Sequence, residues 1–187
     1  MTLAIVIAAV LVAAIGIYTW LTYNRFVRLQ LATANSWAQI EVALKLRHDL
    51  VPALVKTVSG YAKHESATFE RTAVARSSAM GATGSGPLRQ AALEESLGMG
   101  IRSLIGLAEA YPELKASDNF AMLQRDLASV EERISITRRV YNDTVETLNT
   151  AVAVFPSSIV ARVFGFSGRE FFSAGAGAEV APAVSVA

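Results

Sequence analysis

The sequence of 187 residues contains no cysteine and only two histidines, His48 and His64. Without cysteine the chain can form no disulfide, no thiolate metal site and no cysteine nucleophile. Lys and Arg number 17 against 16 Asp and Glu, and the net charge of +1 lacks the basic excess that is typical of nucleic-acid-binding domains. The composition therefore argues against a nucleic-acid partner.

The remaining candidates for chemistry are the neighbours His48–Asp49 and His64–Glu65. A metal site needs three or four converging ligands, but the two histidines lie sixteen positions apart and neither has a second histidine nearby. Adjacent residues on a helix point in different directions, so neither pair is an acid–base couple by spacing alone. No Gly-x-Ser-x-Gly motif occurs, and GATGSG lacks the lysine of a phosphate loop. We predict no catalytic residue, metal or cofactor, and a histidine-dependent hydrolase is the least favoured alternative.

The longest feature that is present is an uncharged run, LAIVIAAVLVAAIGIYTWL, at residues 3–21. As a helix it would span about 28 Å, close to the hydrocarbon thickness of a bilayer. Trp20 and Tyr23 lie at its C-terminal end and Arg25 and Arg28 follow, which is typical of a membrane interface. Each arginine would contribute about 1 kcal/mol against anionic lipid. A cleaved signal peptide is the alternative, but the run is long for one and no basic residue precedes it. We predict a retained anchor at residues 1–22.

The distribution of charge predicts the orientation of this anchor. Residues 22–83 carry eight Lys and Arg against four Asp and Glu, whereas the rest of the chain carries nine against twelve. The positive-inside rule places the side of the membrane that follows the anchor in the cytoplasm.

The rest of the chain is predicted to be helical, because no segment alternates with period two for long and turn signals are sparse. A heptad-like row starts near Ser117–Asp118, runs from Phe120 to Phe155 in steps of three and four, and ends at Pro156. A similar row leaves the apolar run, and further stripes lie on both sides of the flexible loop GATGSGP at residues 81–87. The expected fold is all-α: an N-terminal transmembrane helix that continues into an elongated antiparallel bundle of about four helical segments, residues 23–156.

The stretch LKLRHDLVPALVKTV at residues 44–58 is interpreted as a joint between helices. Pro52 cannot donate a backbone hydrogen bond and disfavours helix at the residue before it, so we predict a helix break there. Asp49 would cap the following helix, and His48 would be exposed beside the bend. Arg47 lies in the row that follows the apolar run, on the seam along which the helices are expected to pack. A buried arginine needs an acceptor. The candidate acceptors are Glu131, Glu132 and Asp143.

Polar residues beside the seams predict a structural network, which would fix helix register as polar core positions do in coiled coils. Its members are Asn24, Arg47, Asp49, Tyr141, Asn142 and Asp143. The alternative is that these side chains face solvent.

The C-terminal segments differ from the bundle. SSIVARVFGFSGREFF, residues 157–172, is amphipathic and either caps the bundle, which is the favoured reading, or lies in the membrane interface. Residues 173–187 are small and are predicted to form a flexible tail.

Two long stretches resemble the LemA family. They are TYNRFVRLQLATANSWAQIEVALKLRHDLVPALVKTVSGYAKHE, residues 22–65, and YNDTVETLNTAVAVFPSSIVA, residues 141–161. A Tyr-Asn pair after the apolar run, Arg-His-Asp-Leu-x-Pro, and a late Tyr-Asn followed by Phe-Pro occur in the family's order. The resemblance implies a bacterial single-pass membrane protein with a helical bundle and, with the charge pattern, a location in the inner membrane with the bundle in the cytoplasm. The C-terminal ending departs from the family pattern.

These observations favour a membrane-anchored, non-enzymatic scaffold or interaction protein. Its expected partners are the lipid bilayer and further copies of itself in a homo-oligomer, through which it would organise or shape the membrane. The alternative is an accessory or sensor subunit, which docks a membrane protease, a signalling partner or another membrane protein through residues 51–80.

Overall fold

In a computed structural model, which describes residues 1–173, the chain forms an all-helical fold. The helices are α1 (Thr2–Ser59), α2 (Ser66–Gly81), α3 (Pro87–Leu107), α4 (Pro112–Lys115), α5 (Asp118–Ala153) and α6 (Ser157–Phe164), and Ala108–Ala110 form one 3₁₀ turn. No strand occurs among residues 1–173. The predicted all-α class is confirmed. The tail predicted at residues 173–187 lies, from residue 174 onward, outside the described residues.

The chain divides into two compact units. Unit 1 combines Met1–Ala38 with Val140–Arg169, and unit 2 combines Gln39–Arg139 with the described residues from Glu170 onward. Helices α1 and α5 therefore contribute residues to both units.

Unit 2 has an apolar core to which α1, α2, α3, α4 and α5 all contribute. Its buried members include Val51, Leu54, Val58, Ala79, Leu97, Ile101, Leu104, Leu114, Phe120 and Leu127. Helices α2 and α3 approach closely where Gly100 faces the buried Thr72: a Cβ at Gly100 would lie 2.9 Å from Thr72 Oγ1. Glycine is required there because any side chain would push the two helices apart.

Unit 1 has a smaller core of Phe26, Leu148, Ala151, Val160 and Ala161. Helices α1 and α5 run antiparallel within it. The rings of Trp37 and Tyr141 lie 5.2 Å apart, and the hydroxyls of Ser36 and Thr144 share a hydrogen bond of 3.0 Å. Helix α6 turns away from the end of α5 at an angle of 94°.

The apolar run at residues 3–21 forms the first turns of α1. No side chain of residues 1–21 is buried. Within the described part of the chain, α1 is the one helix that is by itself long and apolar enough to cross a membrane. It is a candidate transmembrane helix.

Two predicted boundaries are confirmed. The loop at residues 81–87 separates α2 from α3, with Gly84 and Gly86 at φ of +83° and +99°, a region in which other residues are strained. Helix α5 begins at Asp118.

The predicted helix break at Pro52 is wrong. Helix α1 continues through Pro52 to Ser59, and the chain turns over residues 60–65 instead, where Gly60 follows the helix. Asp49 therefore caps no helix; it lies within α1 and is exposed.

Pro52 is accommodated because α2 supplies the hydrogen-bond donor that proline lacks. In a regular helix the N–H of residue 52 would donate to the carbonyl of His48. In this fold Nε of Arg76 on α2 donates to the His48 carbonyl oxygen at 2.7 Å. The carbonyl that proline leaves unpaired thus becomes a contact between α1 and α2.

We expect Arg76 and Pro52 to be energetically coupled. Arg76→Met should destabilise the full chain by about 1 kcal/mol, because a partly buried carbonyl loses its donor. In a Pro52→Ala background the restored N–H satisfies that carbonyl, so the same substitution should cost less. Thermal unfolding of the four variants in detergent, followed by circular dichroism, measures the coupling.

Arg71→Met is the matched control, because the Arg71 guanidinium bonds within α2, to the carbonyl of Ala67 at 3.2 Å. Its effect should not depend on residue 52. Equal costs of Arg76→Met in both backgrounds would contradict the proposed coupling.

Candidate functional site

Unit 2 contains a cluster of buried ionisable side chains. Arg47 on α1 is 5% exposed, His48 is 6% exposed and Glu94 on α3 is 4% exposed. Charged groups are rarely buried to this degree unless they are paired. The partners of these groups therefore decide whether the cluster is structural or reactive.

Arg47 uses both terminal nitrogens of its guanidinium group. Nη1 donates to Oε1 of Glu131 on α5 at 2.9 Å. Nη2 donates to Oε2 of Glu94 and to the Glu94 carbonyl oxygen, the latter at 3.2 Å. Of the three carboxylates named from the sequence, Glu131 is the partner, and Glu94 is a second one that the sequence reasoning missed. Arg47 thereby connects α1 to both α3 and α5.

The Glu94 carboxylate accepts hydrogen bonds from three side chains. Its Oε1 accepts from Nε2 of His48 at 2.8 Å and from Nε2 of Gln90 at 2.7 Å, and its Oε2 accepts from Arg47. An ionised carboxylate can only accept, so Nε2 of His48 carries the proton. Gln90 also donates to the carbonyl of Ala79 at 3.1 Å, which brings α2 into the cluster.

The charges in the cluster stabilise one another against burial. Burial by itself would raise the pKa of Glu94, but the hydrogen bond from His48 and the charge of Arg47 outweigh it and lower the pKa below its usual value. Burial would likewise lower the pKa of Arg47, but the charges of Glu94 and Glu131 outweigh it and raise the pKa. Both groups are therefore ionised at neutral pH.

The prediction that His48 is exposed is wrong. Helix α1 does not bend at this residue, and the imidazole is buried against Glu94. His64 lies in the turn between α1 and α2 and is exposed. Among residues 1–173 no group of three or more His, Asp or Glu side chains is arranged to hold a metal ion.

One edge of the cluster reaches solvent. A cleft of about 100 Å³ there is lined by Arg47, Glu94 and Glu131, with the exposed Arg102 and Arg138 nearby. The side chain of Glu131 is 48% exposed, against 4% for that of Glu94. The ionisable groups of the cluster form their hydrogen bonds and ion pairs with one another, and this arrangement is suited to holding four helices in register.

The other members of the predicted polar network are distributed over both units. In unit 1, Tyr141 is buried against Trp37, Asn24 and Asn142 are half-buried, and Asp143 is exposed. In unit 2, Asp49 is exposed and so is Glu132, which had been a candidate partner of Arg47. That all six residues act as one structural network stays a prediction.

The residues predicted to meet the membrane interface lie in unit 1. Trp20 is 65% exposed, and Arg25 and Arg28 are exposed. Tyr23 is 39% exposed and its ring packs edge-on against those of Phe164 and Phe166, at 5.1 and 5.4 Å. Their contact with lipid stays a prediction.

The contribution of α3 to the cluster was missed because its two polar members do not appear in an apolar pattern. The apolar residues of α3 predict a stripe that includes Leu97, Ile101 and Leu104, and these are buried, but the buried row continues through Gln90 and Glu94. This row has the three-four spacing of a packed helix face. The sequence does contain a signal for this contact: Glu94 is a carboxylate on an otherwise apolar helix face, and Arg47 lies on the seam of another helix.

Together, the fold and the site define an all-α bundle protein that has a candidate N-terminal transmembrane helix and a buried ion-pair cluster. The chain belongs to the LemA family, whose family model matches residues 36–186.

Three similar proteins, from Magnetospirillum and Paramagnetospirillum, are named as magnetosome proteins. Magnetosome protein MamQ of Magnetospirillum gryphiswaldense is 25% identical over 174 residues, which cover 80% of this chain and 64% of the relative. Magnetosome proteins MamQ 1 and MamQ 2 of Paramagnetospirillum magneticum are 26% identical with the same coverage. The chain thus spans less than two thirds of the length of these relatives. The homology and the exposed apolar helix indicate a membrane-associated protein.

We expect Glu94→Gln to destabilise unit 2 by about 3 kcal/mol near neutral pH, because it leaves the buried Arg47 without its closest counter-charge. The substitution should also change the dependence on pH. Since the folded-state pKa of Glu94 is lowered, its contribution is complete above the ordinary glutamate value of about 4.3 and is lost as the pH falls through the lower folded-state value. Denaturant unfolding at a series of pH values should therefore show a weaker loss of stability on acidification in Glu94→Gln than in the wild type.

Glu95→Gln is the matched control, because the neighbouring Glu95 is half exposed and pairs with the exposed Arg102 at 3.2 Å. It should change the free energy of unfolding by less than about 1 kcal/mol. A Glu95→Gln effect as large as that of Glu94→Gln would contradict the assignment.

Proposed function

We propose that this protein is a membrane-anchored, non-enzymatic scaffold that self-associates and organises the membrane. The observation that carries the proposal is the composition of α1. Its N-terminal apolar run has no buried side chain, and the same helix continues to Ser59 and supplies Arg47 and His48 to the cluster of unit 2. One helix thus carries both a segment suited to lipid and a segment suited to a protein core.

A structural role for the buried cluster supports the non-enzymatic part of the proposal. The side chains that are the best acid–base candidates, His48 and Glu94, are bonded to each other and to Arg47. A general base must be within hydrogen-bond reach of a substrate proton. Both groups are at most 6% exposed, so a substrate would have to displace the helix contacts to reach them.

Exposed apolar side chains in unit 2 support self-association. Val74 and Met99 are 59% and 53% exposed and line one groove between α2 and α3, and exposed apolar surface of this kind marks interaction sites when it is contiguous. For the location we propose the inner membrane with the bundle on the cytoplasmic side, which Arg25 and Arg28 support by the positive-inside rule.

Self-association can be measured directly because the chain has no cysteine. A single cysteine introduced at the exposed Ser129 allows one batch of the protein to be labelled with a donor dye and another with an acceptor dye. We expect energy transfer between copies in vesicles at low protein density, and a decrease when unlabelled protein is added. Sedimentation velocity in detergent should show a species larger than the monomer.

Energy transfer that does not exceed the random-proximity value at any density, together with a monomer in sedimentation, would rule out the scaffold. Ser129 is exposed on α5, so the label itself should leave the helix content unchanged, which circular dichroism verifies.

A groove between α2 and α3 favours the alternative, an accessory or sensor subunit that docks another membrane protein. Its volume is about 640 Å³. It is lined largely by small side chains, among them Ala67, Ala75, Ser78, Ser96, Gly100 and Ser103. A groove lined mainly by small side chains can receive a helix of a partner.

Met99→Glu separates the two candidates, because Met99 lines this groove and is 53% exposed. If the groove docks a partner, this variant should lose a protein that the wild type retains on purification from native membranes, and energy transfer between copies should persist. Met122→Glu is the matched control, since Met122 is 50% exposed on α5 and does not line the groove. Loss of energy transfer in Met99→Glu alone would assign the groove to self-association, and retention of the partner by Met99→Glu would exclude the groove as its site.

A further inference from the structure

Helix α6 leaves a row of large apolar side chains uncovered. Ile159 and Val163 lie one turn apart on the helix and are 56% and 71% exposed, and Phe155, in the turn that precedes the helix, is 79% exposed. Val160 and Ala161, on the other side of the helix, are buried in the core of unit 1. The helix therefore has one face that belongs to the protein core and a second apolar face that is open.

The position of α6 along α1 is fixed by aromatic contacts. The ring of Phe164 packs edge-on against Tyr23 at 5.1 Å, and Phe166, just after the helix, stacks on Phe26 at 4.8 Å. Tyr23 is the second residue after the apolar run, which corresponds to about 3 Å of helix rise. The headgroup region extends beyond the hydrocarbon core by more than this distance, so α6 lies at interfacial depth if the apolar run crosses the bilayer.

The direction of α6 also fits an interface. In unit 1, α5 runs antiparallel to α1, as the pairs Trp37–Tyr141 and Ser36–Thr144 show. Helix α6 is at 94° to α5 and hence at a large angle to this part of α1. A helix at a large angle to a membrane-crossing helix lies closer to the plane of the membrane than to its normal.

The two segments that carry the apolar run and α6 contain only positive charges, and Glu170 is the first acidic residue after them. No acidic residue occurs in residues 1–40 or in residues 147–169, and these two segments contain Arg25, Arg28, Arg162 and Arg169. Arg162 is in the last turn of α6 and is exposed. An arginine beside an open apolar row is the composition of helices that lie in the headgroup region, and it complements anionic lipid.

We propose that α6 is a second membrane contact, which lies in the plane of the bilayer with Phe155, Ile159 and Val163 in the boundary between headgroups and acyl chains. The inference rests on the proposed membrane anchor, because the anchor determines the depth of α6. The buried face of α6 caps the core of unit 1, and the open face contacts lipid. The partner is thus the membrane in which α1 is anchored.

The test is a measurement of depth with spin labels in the full chain. Two single-cysteine variants, Ile159→Cys and Val163→Cys, are each labelled with a nitroxide. They are then measured in phosphatidylcholine vesicles that contain phosphatidylglycerol. Collision with oxygen, which concentrates in the hydrocarbon, should exceed collision with a water-soluble nickel chelate severalfold. Ser129→Cys, on an exposed site of α5 outside the α2–α3 groove, is the aqueous reference, and Val10→Cys, within the apolar run, is the reference for the anchor.

The references distinguish the two proposals. If Val10→Cys reports hydrocarbon while Ile159→Cys and Val163→Cys resemble Ser129→Cys, the contact of α6 with lipid is overturned and the anchor stands. If Val10→Cys is itself accessible to the nickel chelate, the anchor fails and the inference about α6 fails with it. Labels at residues 159 and 163 that are immobile and inaccessible to both reagents would show that protein covers this face, and would also overturn the proposal.

Discussion

The ion pair between Arg47 and Glu94 is the interaction on which unit 2 depends. Each of these groups would be costly to bury alone, by several kcal/mol after relaxation of the protein. This cost is offset by the charge-assisted hydrogen bonds that the two groups form with each other and with His48, Gln90 and Glu131. Such bonds are shorter and stronger than those between neutral groups. The compensation is incomplete, because Nε of Arg47 and Oε1 of Gln90 are buried and have no hydrogen-bond partner within the described residues. Apolar clusters of similar volume are often at least as stable, so we infer that these polar groups contribute mainly to specificity, by favouring the alignment of α1, α3 and α5 in which the charges are paired.

The same alignment determines how α1 passes Pro52. The side chain of His48 bonds to Glu94 on α3, while its carbonyl, which Pro52 leaves unpaired, accepts from Arg76 on α2. A single residue is thereby held through its side chain by one helix and through its main chain by another. Slippage of α1 by one residue would break both contacts together. The register of three helices is therefore determined over a short segment, in which local helix propensity would favour a break.

Much of the fold follows from the sequence because it depends on patterns within single segments. The apolar run, the loop at residues 81–87 and the start of α5 at Asp118 are all signalled locally, by hydropathy, glycine content and a capping residue. Arg47 on a seam indicates that a carboxylate must lie opposite. The rest depends on contacts between segments: the helical continuity at Pro52 requires Arg76, and the burial of His48 requires Glu94. Neither partner can be assigned until the relative rotation of the helices is known, since a shift of one position moves a side chain about 100° around the axis.

The two units differ in the kinds of side chain that they leave exposed, and this difference bears on function. In unit 2 the ionised side chains of the core are paired with one another, so its surface is the part available to other proteins. In unit 1 the open groups are apolar side chains and arginines: the apolar run and the α6 row are not covered by any of residues 1–173, and residues 1–40 contain no acidic residue. A single membrane-crossing helix leaves a protein free to rotate about the membrane normal and to tilt. A second contact perpendicular to the first would limit tilt, because tilting would lift one end of α6 out of the interface. A scaffold that acts by lateral association needs such a restriction, since copies can meet through the same surfaces only if they stand at the same angle to the membrane.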